Sequence, residues 1–294
     1  MATRIAWWLN LDAGLELEAP EGYVRSDKLA GQMAGLATQM TSLLRDVDLL
    51  LTGDPVATRD ALALAFCPTP SALAALTQLG FTAPAAPSLA VLRAVSCRSF
   101  ATRLGQTLPH AAYVSSEEHL LEQLAQPCPT AEWLLKRDFA FAGRERRRVR
   151  GADLDVPTLG FVRRSFARGQ GLQVEPLLAR ESDFAQHGYL LASGRLMVGP
   201  LMAQRCDERG VWKGSRIALD HELGLADREA LAACVSDAGR ALYAAGYFGP
   251  FGVDAFVYRT SGGDLAFQPR SEVNARFSMG YPRELLENAL VSQV

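Results

Sequence analysis

The sequence predicts an α/β protein with α+β character in its later part, and three observations predict it. In the first 80 residues, apolar runs of strand type alternate with amphipathic helical stretches, the pattern of a small parallel unit. Residues 227 to 249, DREALAACVSDAGRALYAAGYFG, carry Leu231, Cys234, Val235, Ala238 and Leu242 at helical spacing and lead into the gapless β-type run FGVDAFVYR. SGGD at 261 to 264 then turns the chain back into an antiparallel partner, LAFQPRSEVNAR.

Taken in order, RIAWWLNL at 4 to 11 is β-branched and aromatic enough for a strand. SDKLAGQMAGLATQMTSLLRDVD, 26 to 48, reads as one helix capped by Ser26, with Leu29, Met33, Leu36, Met40 and Leu44 on its apolar face. DLLLTGD and ALALAFCPTP are short apolar strands, and SALAALTQLGF is a helix from Ser71 to a stop at Gly80. TAPAAPSLA, 82 to 90, is a proline- and alanine-rich linker. Beyond it, a helix carrying Arg98 and Arg103 should break at Pro109 before a strand near 112 to 114. Ser115, three residues before Glu118, has the form of a capping box opening the next helix. TAEWLLKRDFAFAGRERRRVRG reads as strand, turn, strand, and PTLGFVRRSFARGQ as a helix with Arg163, Arg164 and Arg168 on its polar side. GLQVEPLLARESDFAQHGYLLASGRLMVG reads as two strands with a loop between them, and residues 204 to 219 as loop and strand. The domains expected are 1–90, 91–174 and 175–294.

Composition excludes several classes. With 30 basic and 32 acidic residues, the net charge of -2 supplies no overall basic field for nucleic acid or an anionic membrane. The apolar runs stay short of membrane-spanning length and MATRIAWWLNLDAG lacks a secretory pattern, so a cytoplasmic location is expected. Five scattered cysteines, never in a CxxC pair, read as reduced and without zinc. Only Lys28, Lys136 and Lys213 are lysines in an arginine-rich chain. An ammonium retained in that background points to a specific use.

The chemistry concentrates in SEVNARFSMG, 271 to 280, read with GVDAF at 252 to 256. If these are neighbouring strands, Asp254, Glu272 and Asn274 lie together, with Arg276 on the same face. Two carboxylates and an amide oxygen form a hard-cation set that suits magnesium, with manganese as the alternative. The arginine can hold a phosphate or developing negative charge. The same alternation also suits an ordinary half-buried strand with Val273, Ala275 and Phe277 facing the core. Lys136 sits on the first strand of a hairpin that can fold over phosphates, and VEPLL at 174 to 178 can serve as a hinge against an adenine ring. A surface hairpin and an edge strand are the plainer alternatives.

Set in this order, the pieces resemble the ATP-grasp superfamily, and more loosely its carboxylate-amine (ADP-forming) ligases, over nearly the whole chain. SEVNARFSMG, similar to the family's E-x-N-x-R signature, is the most specific piece. The resemblance implies a Rossmann-like pre-ATP-grasp domain in front of two ATP-binding subdomains. It implies phosphate contacts from Lys136, from Arg98 in place of an earlier lysine, and from the hairpin loop holding Gly143 and Arg144. It assigns Glu175, Leu177 and Leu178 to the adenine hinge and Asp183 to the ribose. Asp254, Glu272 and Asn274 become magnesium ligands, and Arg276 steadies the reacting phosphate. The loop after Lys136 departs from the family in keeping only Gly143 where several glycines are usual. The implied reaction activates a carboxylate as an acyl-phosphate for an amine, with ATP and magnesium as cofactors. A kinase-like phosphotransferase and a non-catalytic nucleotide-binding protein are the alternatives. The implied partners are small-molecule carboxylate and amine substrates, and the reading accommodates a homodimer. His110, His119, His187 and His221 are not required by this chemistry.

Overall fold

A computed structural model describes residues 4–54, 60–105, 108–139, 146–207 and 211–292. The N-terminal part is built from β1 (Ile5–Trp8), α1 (Ala13–Glu18), α2 (Asp27–Ala37), β2 (Leu49–Leu50), β3 (Leu62–Ala65) and α3 (Pro70–Gln78). Its strands form a parallel sheet in the order β2-β1-β3. Ser26 caps α2 as expected, its hydroxyl accepting from the Leu29 amide. The helix ends at Ala37 rather than running to 48. Gly31 and Gly35 weaken it, Thr38 turns back onto the Gly35 carbonyl at 2.9 Å, and the chain unwinds so that Met40 and Leu43 reach the core.

Next come α4 (Leu89–Ser96) and α5 (Arg98–Thr102), where one helix was expected. Cys97 is extended between them, at φ -69° and ψ 142°. The Asp138 carboxylate accepts from Ser99 N and from the Tyr113 hydroxyl, which fixes the start of α5 and turns Arg98 toward the large sheet. β4 (Ala112–Val114), α6 (Glu117–Leu124), β5 (Trp133–Arg137), β6 (Arg146–Val149), α7 (Val156–Ala167) and β7 (Leu172–Pro176) complete the middle part. The α6 cap is Ser116, whose hydroxyl accepts from His119 N at 3.2 Å, one residue later than expected. The four strands lie in the order β4-β7-β5-β6 with antiparallel neighbours. One face of this sheet packs Trp133, Leu135, Leu172 and Val174 against Phe161 and Val162 of α7. The residues between them on the strands face the other way.

The last part holds β8 (Ala179–Leu190), β9 (Leu196–Cys206), β10 (Trp212–Ile217), α8 (Leu225–Ala244), β11 (Gly249–Arg259), β12 (Leu265–Asn274) and α9 (Arg283–Val291). The stretch 171–199 thus contributes to three strands, because Leu177 and Leu178 break β7 from β8. The antiparallel sheet runs β10-β9-β8-β11-β12. α8 packs on one face through Leu231, Val235, Ala238 and Leu242, meeting Phe251, Val253 and Ala255. Gly246, at φ +83°, ends that helix where a side chain would be strained. Gly188 lets β8 and β11 approach, since a Cβ there would lie 2.5 Å from the Phe251 ring.

The C-terminal helix α9 is not among the elements expected from the sequence. It packs Leu285 and Leu286 with Phe277 and Tyr281 into the same core as Ile5, Trp7 and Met33. Arg283 seals the contact on the buried Asp48 carboxylate at 2.7 Å. Among the described residues, no helix is long and apolar enough to cross a membrane.

Candidate functional site

The face of the four-stranded sheet away from α7 and one face of the five-stranded sheet enclose a cavity of about 1190 Å³. Its wall includes Glu175, Leu177, Leu178 and Asp183 of the expected site, together with Gln204 and Phe256. Lys136 and Glu175 form a buried ion pair on the sheet face, and Gln173 Nε2 donates to the same carboxylate at 3.2 Å. Burial first, then the nearby Arg98 and Arg180 charges, hold the Lys136 ammonium below its ordinary pKa, with Glu175 opposing them. The Leu177 amide is taken by the Glu132 carbonyl at 2.9 Å, so that hinge N-H is not free for a ligand. Asp183 pairs with Arg180 at 3.0 Å, and the Arg180 guanidinium lies 4.0 Å from the centroid of the Phe256 ring.

β11 and β12 pair in the register Asp254 opposite Glu272, which places the two carboxylates on one face. Asn274 Nδ2 donates to Asp254 Oδ2 at 2.9 Å, and Gln204 Nε2 donates to Asp254 Oδ1 at 3.1 Å. The Asp254 carboxyl is pushed up to about 6, by burial first and then by Glu272 beside it. Burial also raises Glu272, but Arg98, Lys136 and Arg276 together bring it below the ordinary value. Arg98 carries much of this: its Nε donates to the Arg137 carbonyl at 2.7 Å and its Nη1 stands 3.3 Å from Glu272 Oε1. β12 stops at Asn274, so Arg276 lies beyond the strand and not in its alternation. Its charge nevertheless acts on both Asp254 and Glu272. Val273, Ala275 and Phe277 are buried.

Lys136, Arg98, Glu175, Asp254, Glu272, Asn274 and Arg276 therefore fall in one connected neighbourhood, with Leu177, Leu178 and Asp183 on the adjoining wall. Gly143 and Arg144 lie outside the described residues. Among the described residues, no group of three or more His, Cys, Asp and Glu side chains is arranged to hold a metal ion. A cation here would use the two carboxylates, the Asn274 amide oxygen and water, a donor set that fits magnesium. The raised Asp254 fits as well, since a cation would offset the burial and the Glu272 charge that raise it. Three further arginines are engaged elsewhere. Arg163 pairs with Glu117, Arg168 with Glu18, and Arg270 donates to the Leu104 and Gly105 carbonyls. His187 is fully buried, with Nε2 2.6 Å from Ser278 Oγ, and burial lowers it to about 3, so it stays neutral.

The sequence matches no protein-family model and no curated protein. Solved structures do match. D-cycloserine synthetase is 13% identical with a TM-score of 0.53, over 98% of this chain and 99% of that one. D-alanyl-alanine synthetase A from Vibrio cholerae is 10% identical with a TM-score of 0.50, over 99% and 98%. D-alanine–D-alanine ligase from Bacillus anthracis is 14% identical with a TM-score of 0.50, over 99% and 93%. The chain has an ATP-grasp fold. At these identities the likeness is one of fold.

Several side chains beyond those expected from the sequence line the cavity. Arg146, Arg148, Arg180, Gln204 and Arg205 all contribute to its wall. Strand parity was the available signal: Arg146 and Arg148 stand directly opposite Lys136 and Leu134 in the ATP-grasp hairpin. RERRRVR by itself reads as a solvated basic run.

Proposed function

We propose that the protein is an ATP- and magnesium-dependent ligase that activates a carboxylate as an acyl-phosphate for an amine or similar nucleophile, releasing ADP. The observation that carries this reading is the in-register Asp254–Glu272 pair beside Asn274, under the charges of Lys136, Arg98 and Arg276 and joined to the cavity wall through Gln204 and Glu175. In this reading residues 1–90 are the pre-ATP-grasp unit, 91–174 and 175–294 the two parts that enclose the nucleotide. The Leu177–Leu178 hinge covers the base and Asp183 reaches the ribose. Asp254, Glu272 and Asn274 hold magnesium, which when bound supplies charge neutralisation across the phosphates. Lys136 and Arg98 orient the phosphates. Arg276 offsets the charge that grows as the substrate carboxylate oxygen attacks the γ-phosphorus and the bond to the ADP oxygen breaks. Fold-level likeness to ligases of amino acids supports the reaction class and leaves the substrates to experiment.

The test is ADP release from magnesium and ATP with a panel of amino and hydroxy acids, alone and in pairs. Turnover that requires both a carboxylate and an amine supports the ligase. Turnover with no second nucleophile establishes the kinase-like phosphotransferase instead. Nucleotide binding without turnover under any condition makes it a binding protein, and absence of nucleotide binding sinks the reading altogether.

A further inference from the structure

The cavity face of the four-stranded sheet carries two rows of side chains in register. Gln173, Lys136 and Arg146 form one across β7, β5 and β6, and Glu175, Leu134 and Arg148 form the next. Residues directly opposite on antiparallel strands stand about 5 Å apart, and like charges so placed repel. Lys136 has Glu175 on its own sheet to offset it. Arg146 and Arg148 project from the neighbouring strand into the cavity wall, and Arg180 enters from β8. Arg146 is held below its ordinary pKa by burial first, then by Arg180, Arg148 and Arg98, with Asp207 across the cavity opposing them. Guanidinium groups gathered in a half-buried place are stabilised by a polyvalent anion. Their planar donor forks match phosphate oxygens better than an ammonium does.

We propose that Arg146, with Arg148 beside it, binds the polyphosphate chain of the nucleotide and makes affinity depend on the number of phosphates. The identification of the anion as part of a nucleotide rests on the function proposed above; the anion site itself rests on the strand register. Because the register places Arg146 directly across from Lys136, the two cations flank one anion rather than serve separate ligands. The role is one of binding and specificity.

The test is calorimetric binding of three probes to the full chain with magnesium: a non-hydrolysable ATP analogue, AMP and inorganic tripolyphosphate. Arg146→Gln is expected to weaken the ATP analogue and tripolyphosphate by roughly tenfold to a hundredfold, the loss of one charge-assisted hydrogen-bonding group, and AMP by less than about twofold. Arg146→Lys should recover part of the loss. Arg148→Gln, at a more exposed position, should give the same pattern at smaller size. Arg163→Gln, which only breaks a surface pair with Glu117, should change none of the three. A well-folded Arg146→Gln protein that binds the ATP analogue as tightly as the parent overturns the assignment and leaves the nucleotide reading standing. Tripolyphosphate bound through Arg146, with no affinity for the ATP analogue, keeps the anion site and removes the nucleotide. Equal losses for all three probes mark a structural role and overturn the proposal, and a parent that binds no probe overturns both.

Discussion

Asp254 faces Glu272 across two strands, and its burial, with the repulsion between the two carboxylates, has a pH signature. The Asp254 carboxyl sits at about 6 in the fold against an ordinary 3.8. Folding therefore favours its protonated form. That contribution is fully present below 3.8, is lost as pH rises through about 6, and stays lost above. The difference between these two values is worth about 3 kcal/mol. Without magnesium, Asp254→Asn should be more stable than the parent at pH 7.5 and equal to it near pH 4; urea titrations at the two pH values read this, and a less stable variant at pH 7.5 contradicts it. For catalysis, Glu272→Gln removes a proposed magnesium ligand and Lys136→Ala removes the ammonium proposed to lie beside the phosphates. Each should abolish nucleotide turnover with the circular dichroism spectrum unchanged, and normal ADP release by both variants would end the assignment. Most of this residue set was legible in the sequence because E-x-N alternation and an isolated lysine are local signals. The Lys136–Glu175 and Arg98–Glu272 pairs were not, since each joins segments that only folding brings together.

At the scale of the element, α2 and α9 separate local signals from tertiary ones. Ser26 caps α2 through one hydrogen bond to Leu29 N, and Ser26→Ala should cost about 1 kcal/mol in a urea titration. The apolar spacing of that helix continues through Met40 and Leu44, but the glycines inside it and the demand of the core end it at Ala37. α9 is held by Arg283, whose guanidinium is buried on Asp48. Arg283→Met removes the cation and leaves the carboxylate buried, an arrangement that costs about 3–5 kcal/mol. Asp48 keeps the donors Ile5 N, Trp7 Nε1 and Arg45 N, so a loss near 3 kcal/mol is expected. A loss under 1 kcal/mol would show that α9 docks without the pair. The break at Cys97 belongs to the same class: nothing in RAVSCRSFAT ends a helix, and Asp138, forty residues on, sets the start of α5.

At the scale of the molecule, the two antiparallel sheets matter as opposite walls of one cavity. A ligand that bridges them should slow hydrogen exchange together at 175–183, along the hinge and the start of β8, and at 204–207 on β9. Exchange measured with an ATP analogue and magnesium tests this, and protection confined to one sheet would place the ligand elsewhere. Apart from α1, α9, the α4–α5 break and the division of 171–199, the order of strands and helices, the β11–β12 hairpin and the metal-type residues were legible in the sequence itself, through spacing, turn chemistry and residue type. Only the tertiary structure decided which strands lie side by side, and hence that Arg146 stands across from Lys136. It also decided that the C-terminal helix completes the N-terminal core, and that Arg98 reaches Glu272. The physical reason is that periodicity specifies which face of an element is buried, whereas partners across a cavity depend on packing between segments far apart in the chain.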